Sequence, residues 1–215
     1  MNRGRRLGGL ALALLAGGCA TVKEASAPPL PAPQNYFAAG AHGAPLRRVA
    51  LLPLFNASCP EHYAREMDAT FVAELTKKAL FEVAPVGRAQ LEALFGERQL
   101  CSMDALPADA LARLRERFGV DGVLFTDLTS FSPYRPMSMG VRAKLVDAAT
   151  GQIRWAFDSL FDTGHSSVAE AAKRFQLQYS NRHLPLATDG GSILLSPTRF
   201  AKYVASETFA SLRQE

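Results

Sequence analysis

The four histidines, His42, His62, His165 and His183, are the side chains most often used to bind metals or move protons. They are scattered along the chain, and none belongs to a recognisable metal-binding arrangement of His, Cys or carboxylates on one element. Glu61 adjoins His62, but adjacent residues of a helix point in different directions. We therefore expect no metal site and no cofactor.

The motifs of the common enzyme classes are also missing. The chain contains no G-x-S-x-G, no G-x-x-x-x-G-K and no G-x-G-x-x-G, which removes the usual routes to hydrolase, nucleotide-binding and dinucleotide-binding functions. Residues 189–192 (DGGS) predict a turn and only weakly a phosphate-binding loop. We expect a protein that is not an enzyme.

Aromatic and arginine side chains on a proline-flanked turn form the best surface candidate. Phe131, Tyr134 and Arg135 lie beside Pro133 and Pro136, and Tyr and Arg are residue types that anchor interfaces. These three residues are our partner-binding candidates. The alternative is a structural turn in which Phe131 packs in the core and Tyr134 covers a sheet edge.

The first residues have the layout of a bacterial signal peptide. Arg3, Arg5 and Arg6 form a basic region, residues 7–15 an apolar one, and residues 16–18 (AGG) a cleavage site of small residues. The apolar stretch is far below the ~20 residues that a spanning helix needs. Residues 1–18 are thus predicted to be removed.

The cysteine that follows the small residues resembles the lipobox of bacterial lipoproteins, in which it is acylated after cleavage. This resemblance implies a palmitate-type anchor on Cys19, although Leu15 stands one place further from Cys19 than the commonest pattern has it. Ala20 follows, and the absence of aspartate there favours the periplasmic face of the outer membrane. The alternative is an ordinary secretory peptide in which Cys19 is incidental.

The charge balance gives no compositional support for binding nucleic acids or an anionic membrane surface. The chain has 215 residues, 48% hydrophobic and 20% charged, with 24 Lys plus Arg against 20 Asp plus Glu. Removing three arginines with the signal peptide leaves 21 basic residues against 20 acidic ones. A nearly neutral domain without a basic stripe offers no footprint for nucleic acid.

Cys59 and Cys101 are the cysteines that remain once Cys19 is acylated. An even pair in an oxidising compartment is most simply a disulfide, here closing a loop of about 40 residues and contributing about 3–4 kcal/mol. The alternative, a redox-active pair, would favour C-x-x-C spacing.

A proline- and alanine-rich segment, residues 19–45, shows neither helical nor strand periodicity and predicts a disordered linker. The folded periplasmic domain is then predicted over residues 46–215. It begins with an apolar strand at 47–55, followed by a helix at 61–81, a strand at 81–86 and helices at 88–97 and from Pro107 to Gly119.

The second half of the domain predicts antiparallel strands and two more helices. A strand at 120–131 precedes a hairpin of 137–147 and 152–162, in which Trp155 is expected in the core. Ser167 with Glu170 predicts a helix start, and Ser196-Pro197 another. The fold class is α/β (α+β), a mixed sheet with an antiparallel hairpin, packed by helices in a single domain.

Three segments resemble a group of small envelope lipoprotein domains. They are VALLPLF at 49–55, DGVLFTDLTSFSPYRP at 121–136, and the hairpin VRAKLVDAATGQIRWAF at 141–157. The group includes the TolB amino-terminal domain, CsgG, LpoB and PelC. The resemblance covers about residues 47–162, and its motifs are a strand and a turn, so it bears on the fold more than on the function.

This resemblance implies a protein that binds other envelope proteins without chemistry of its own. We expect a lipid-anchored scaffold, or an accessory or activator protein of an envelope complex for export or cell-wall assembly. The main alternative is a subunit of a homo-oligomeric ring in a secretion system, and the least favoured is an unrecognised envelope hydrolase.

Overall fold

A mixed seven-stranded sheet with five α-helices makes up the computed structural model, which describes residues 34–37, 44–56, 59–180 and 190–213. The strands are β1 (Gln34–Phe37), β2 (Arg48–Leu51), β3 (Phe55–Asn56), β4 (Glu82–Pro85), β5 (Gly122–Ser132), β6 (Ser138–Asp147) and β7 (Ile153–Asp162). The helices are α1 (Glu61–Thr76), α2 (Arg88–Phe95), α3 (Ala110–Phe118), α4 (Ser166–Ser180) and α5 (Pro197–Thr208).

The strand order is β1-β7-β6-β5-β2-β4, with β3 paired to the far part of β5. Strand β2 runs parallel to β4 and β5, whereas β5, β6, β7 and β1 form an antiparallel series. We call the end of the sheet at which β2, β3 and β5 finish the tip end. The predicted mixed α/β sheet with its antiparallel hairpin is confirmed.

Helices cover both faces of the sheet. On one face α1, α4 and α5 bury Phe71, Phe157 and Tyr203, and Trp155 is 1% exposed there, as predicted. On the other face α2 and α3 bury Leu91 and a smaller apolar cluster against β2, β4 and β5. The described residues therefore form one domain around one sheet, as the sequence indicated.

The first apolar run does not form one continuous strand. Residues 52–54 separate β2 from β3, and Pro53 has no backbone N–H to give to a neighbouring strand. The N–H of Leu54 donates instead to Asp68 Oδ1 of α1 at 2.8 Å. The prediction of a single strand over 47–55 is thus wrong in its middle.

Strand β1 lies within the segment predicted as a linker. Its four residues pair antiparallel with β7, Gln34 opposite Asp158 and Phe37 opposite Trp155. The predicted linker of 19–45 is therefore wrong for residues 34–37, because the free edge of β7 supplies backbone partners that local sequence cannot reveal. Residues 19–33 lie outside the described residues.

The turn between β6 and β7 is organised by Asp147. Its Oδ1 accepts the backbone N–H groups of Ala149 (2.9 Å) and Thr150 (3.0 Å), and Gly151 follows with a φ of 73°. Partial burial favours the neutral carboxyl, but these backbone hydrogen bonds and Arg154 outweigh it and lower the pKa of Asp147. The turn predicted at 148–151 is therefore held by a side chain that precedes it.

Four helix boundaries can be compared with the local sequence signals that predict them. Gly119 ends α3 with a φ of 62°, and Ser196 caps α5 through the N–H of Arg199, both as predicted. The predicted capping pair of Ser167 and Glu170 is wrong, because α4 already begins at Ser166 and Glu170 pairs with Lys173. Helix α1 ends at Thr76 and not at residue 81.

None of the helices in the described ranges is both long and apolar enough to cross a membrane.

Candidate functional site

A polar cleft of about 510 Å³ opens at the tip end of the sheet, beside the start of α1 and along α2. In parallel α/β sheets this is the end at which ligands usually bind. The cleft is lined by Asn56, Cys59, Glu61, Ala64, Arg88, Glu92, Gly96, Glu97, Arg98 and Gln99.

Arg88 is the most highly connected side chain of the cleft. Its Nε donates to Asp68 Oδ2 at 2.9 Å and its Nη2 to Asp68 Oδ1 at 3.1 Å, a two-pronged ion pair. Nη2 also donates to the carbonyl of Leu54 at 3.1 Å, and Nη1 to Gln99 Oε1 at 3.0 Å. One guanidinium thus connects α1, the break between β2 and β3, α2 and the loop after α2.

The carboxylate of Asp68 is correspondingly constrained. Burial raises the pKa of Asp68, and the Leu54 N–H and the Arg88 charge offset that rise only in part. Both oxygens are occupied by donors from Arg88 and Leu54. The contacts of this pair hold the backbone of Leu54 in place.

Gln99 fixes the long loop between α2 and α3. Its side chain replaces a strand partner for Asn56, with Nε2 donating to the Asn56 carbonyl at 2.9 Å and Oε1 accepting the Asn56 N–H at 3.3 Å. Further along the loop, Ser102 is held by the buried carboxylate of Asp127, which accepts the Ser102 hydroxyl at 2.5 Å. Lys144 Nζ donates to the Ser102 carbonyl at 2.5 Å.

Cys59 follows Asn56 in the chain and Cys101 follows Gln99, so the two cysteines flank the Asn56–Gln99 contact. Cys59 lines the cleft and its N–H donates to Asn56 Oδ1 at 2.8 Å, while the Cys101 thiol lies 3.8 Å from Asp127 Oδ2. Both thiols are free, so the predicted disulfide is not formed in this structure. Because Gln99 ties Asn56 to the Cys101 loop, both cysteines are held near the same strand, β3, and their pairing stays a prediction.

The chemistry open to the cleft follows from these contacts. Burial raises the pKa of the Cys59 thiol, with Arg88 opposing, and burial and Asp127 raise that of Cys101, so neither is an activated thiolate. Arg98 lies between Glu61 (3.8 Å) and Glu92 (3.7 Å), and all three side chains are more than half exposed. The cleft can receive polar groups, and among the described residues that line it no nucleophile has an adjacent base.

The second candidate surface is the turn between β5 and β6, residues 132–138 with Phe131 at its base, which we call the hairpin tip. Phe131 is half-buried and its ring lies 5.4 Å from that of Tyr63 in α1. Tyr134 is 80% exposed, whereas Arg135 Nε donates to the Leu194 carbonyl at 3.2 Å. The structure thus brings Tyr134 and Arg135 to the surface and uses Phe131 to hold the tip on the domain.

The histidines do not assemble in the described part of the chain. His62 is exposed, with its ring centroid 4.1 Å from that of Tyr63 and the ring planes tilted by 39°, and His165 directly precedes α4. His42 and His183, like Cys19, lie outside the described residues. Within residues 44–56, 59–180 and 190–213, no group of three His, Cys, Asp or Glu could hold a metal ion.

Sequence reasoning missed the residues that build the cleft. In the sequence, Asp68 is one of several polar residues of α1, and none of the motifs described above includes Arg88 or Gln99. The available signal was an arginine at the first position of a helix that directly follows a strand, where a long side chain can reach back over the strand end.

Comparisons with known proteins bear on the fold. No protein-family model matches the chain, and no curated protein matches it. A PelC dodecamer from Paraburkholderia phytofirmans has a TM-score of 0.48 at 12% identity, covering 86% of this chain and 100% of its own. Lipoprotein GNA1162 from Neisseria meningitidis gives 0.43 at 20% identity, covering 65% and 99% of the two chains.

The LpoB C-terminal domain from Salmonella enterica gives a TM-score of 0.37 at 20% identity, covering 56% of this chain and 86% of its own. PelC and LpoB both belong to the group that the sequence motifs resemble, so the predicted resemblance is also found among solved structures. At TM-scores below 0.5, these likenesses carry no argument about what the chain does.

Replacing Arg88 with methionine should destabilise the domain by about 2–4 kcal/mol, because Asp68 is left partly buried and ionised without a counter-charge. Urea denaturation at neutral pH measures the loss. The penalty should shrink on acidification, since protonation removes the Asp68 charge whose pKa is already raised. Arg98→Met, on the same cleft but more than half exposed, should cost less than about 0.5 kcal/mol. Equal losses for the two variants would contradict the assigned role of Arg88.

The Cys59–Cys101 pairing is tested by the mass of protein purified from the periplasm. A disulfide predicts a mass increase of two hydrogens on reduction and blocked thiols before it. Cys59→Ser and Cys101→Ser should each abolish the shift and lose up to about 3–4 kcal/mol of stability. Two free thiols in the native protein would refute the pairing.

Proposed function

We propose that this protein is a lipid-anchored accessory protein of the cell envelope, without catalytic chemistry of its own, held at the periplasmic face of the outer membrane. The observation that carries the proposal is Cys19 directly after a basic region, an apolar region and small residues, the pattern of an acylated cysteine. Ala20 supports the outer-membrane assignment.

The organisation of the cleft supports the absence of catalysis. Its best-connected ionisable groups, Arg88 and Asp68, bind one another and the backbone of Leu54. Asp127 likewise accepts hydrogen bonds from the backbone N–H and the hydroxyl of Ser102. A catalytic acid or base needs a free position facing its substrate, and these carboxylates are structural.

The exposed features support a recognition role. Tyr134 and Leu195 are 80% and 66% exposed, and the hairpin that carries Tyr134 is fixed by Phe131 and by the Thr163 N–H, which donates to the Met137 carbonyl at 2.9 Å. A rigid turn presents its side chains with little entropic cost of ordering. We propose that this tip is where the protein contacts another component of the envelope.

Acylation is tested by growing cells with labelled palmitate. The wild-type protein should carry the label and fractionate with outer membranes, and Cys19→Ser should lose both, because the thiol that receives the lipid is gone. Cys59→Ser is the matched control and should keep the label. A labelled Cys19→Ser protein, or an unlabelled wild type, would refute the anchor.

The scaffold and ring alternatives differ in the mass of the soluble protein. We expect residues 20–215 to be monomeric by light scattering over a wide concentration range, since a scaffold binds partners other than itself. A single defined species of several subunits would favour the homo-oligomeric ring. The sample must keep residues 34–37, because a chain starting at residue 45 lacks β1 and exposes the edge of β7.

A further inference from the structure

The direction of β1 shows from which end the N-terminal segment enters the domain. Gln34 lies opposite Asp158 and Phe37 opposite Trp155, so moving back towards the N-terminus means moving along β7 towards Asp162. Asp162 is opposite Ser138 in β6, at the base of the hairpin tip. The chain therefore enters the domain from the tip end of the sheet, the end that carries Tyr134.

The length of the preceding segment sets how far this end can stand from a membrane. Residues 20–33 separate Cys19 from β1 and reach at most roughly 50 Å when fully extended. Strands β6 and β7 have ten residues each, so the turn at 148–152 lies about 33 Å further away, at the opposite end. An anchor at Cys19 thus holds Gln34, the start of β1, within roughly 50 Å of the leaflet, with the N-terminal end of β1 pointing towards the tip end.

The chemistry of the tip matches the lipid–water interface. Tyr134 has an apolar ring with a polar hydroxyl, the combination that is enriched at the level of lipid headgroups. Leu195 follows the residue whose carbonyl accepts Arg135 Nε, so a second exposed apolar side chain stands close to that guanidinium. Arg135 is itself exposed, and a guanidinium forms strong charge-assisted hydrogen bonds with phosphate oxygens.

We propose that, in the acylated protein, the tip docks on the phospholipid leaflet, with Tyr134 at the headgroup boundary, Leu195 beside it and Arg135 on lipid phosphates. The inference rests on the proposed acylation of Cys19. A short tether holds the tip at an effective concentration in the millimolar range near the surface, so a contact too weak to bind alone is populated once the chain is anchored. Docking then sets the orientation of the cleft relative to the membrane.

The test uses the fact that the chain has one tryptophan, Trp155, buried in the core. In a Trp155→Phe background, Tyr134→Trp places the reporter at the tip and Ile153→Trp places a matched reporter at the opposite end of the sheet. Both acylated proteins are reconstituted in vesicles of phosphatidylethanolamine and phosphatidylglycerol with brominated acyl chains. The tip reporter should shift to the blue and lose most of its emission, while the Ile153→Trp reporter should keep its emission.

Each outcome decides between failure of docking and failure of the anchor. Protein that floats with the vesicles but shows equal quenching of both reporters overturns docking and leaves the anchor standing, whereas protein that does not float removes the anchor and the docking with it. Tip quenching that requires a second envelope protein also overturns lipid docking. If Trp155→Phe fails to fold, hydrogen exchange of the wild-type protein replaces it. Anchoring should then slow exchange at residues 132–138 and not at 148–152, and unchanged exchange at the tip refutes the proposal.

Discussion

The ion pair of Arg88 with Asp68 is the interaction on which the tip end of the sheet depends. Strand β2 stops after Leu51, which leaves the backbone of Leu54 without a strand partner. Asp68 accepts its N–H and Arg88 donates to its carbonyl, so the pair replaces two ladder hydrogen bonds. Through Gln99 the same guanidinium reaches the loop after α2. Side chains, and not strand pairing, therefore join the walls of the cleft: Arg88 connects Asp68 of α1, the backbone of Leu54 and Gln99.

This arrangement explains what the sequence could and could not reveal. Trp155, Gly119 and Ser196 were predictable, because period-two alternation, a left-handed helix stop and a helix cap are each encoded within a few neighbouring residues. The pair of Asp68 and Arg88 spans 20 residues of sequence and has no local pattern, since a polar residue on a predicted helix face reads as solvated. Only the break at 52–54 creates the unpaired backbone that draws both side chains inward.

The sheltered acidic residues near the cleft bind backbone groups. Asp68 and Asp127 are the carboxylates best sheltered from solvent near the cleft, a setting that often marks catalytic groups. Each instead accepts a backbone N–H, from Leu54 and from Ser102, and each fixes a segment without regular strand pairing. Shelter from water here reflects the cost of leaving backbone groups unpaired.

Strand β1 gives the fold its mechanical connection to whatever precedes it. The four residues of β1 run along β7. A pull on the N-terminal end of β1 along the strand direction would therefore act on all of the β1–β7 hydrogen bonds at once, in shear. A pull across the sheet would break the same pairs one at a time. Strand β7 is in turn paired along its length with β6, and the indole Nε1 of its Trp155 donates to Ser211 Oγ at 3.3 Å. An edge strand with no hydrophobic period is therefore paired directly with β7, whose Trp155 and Phe157 are buried in the core.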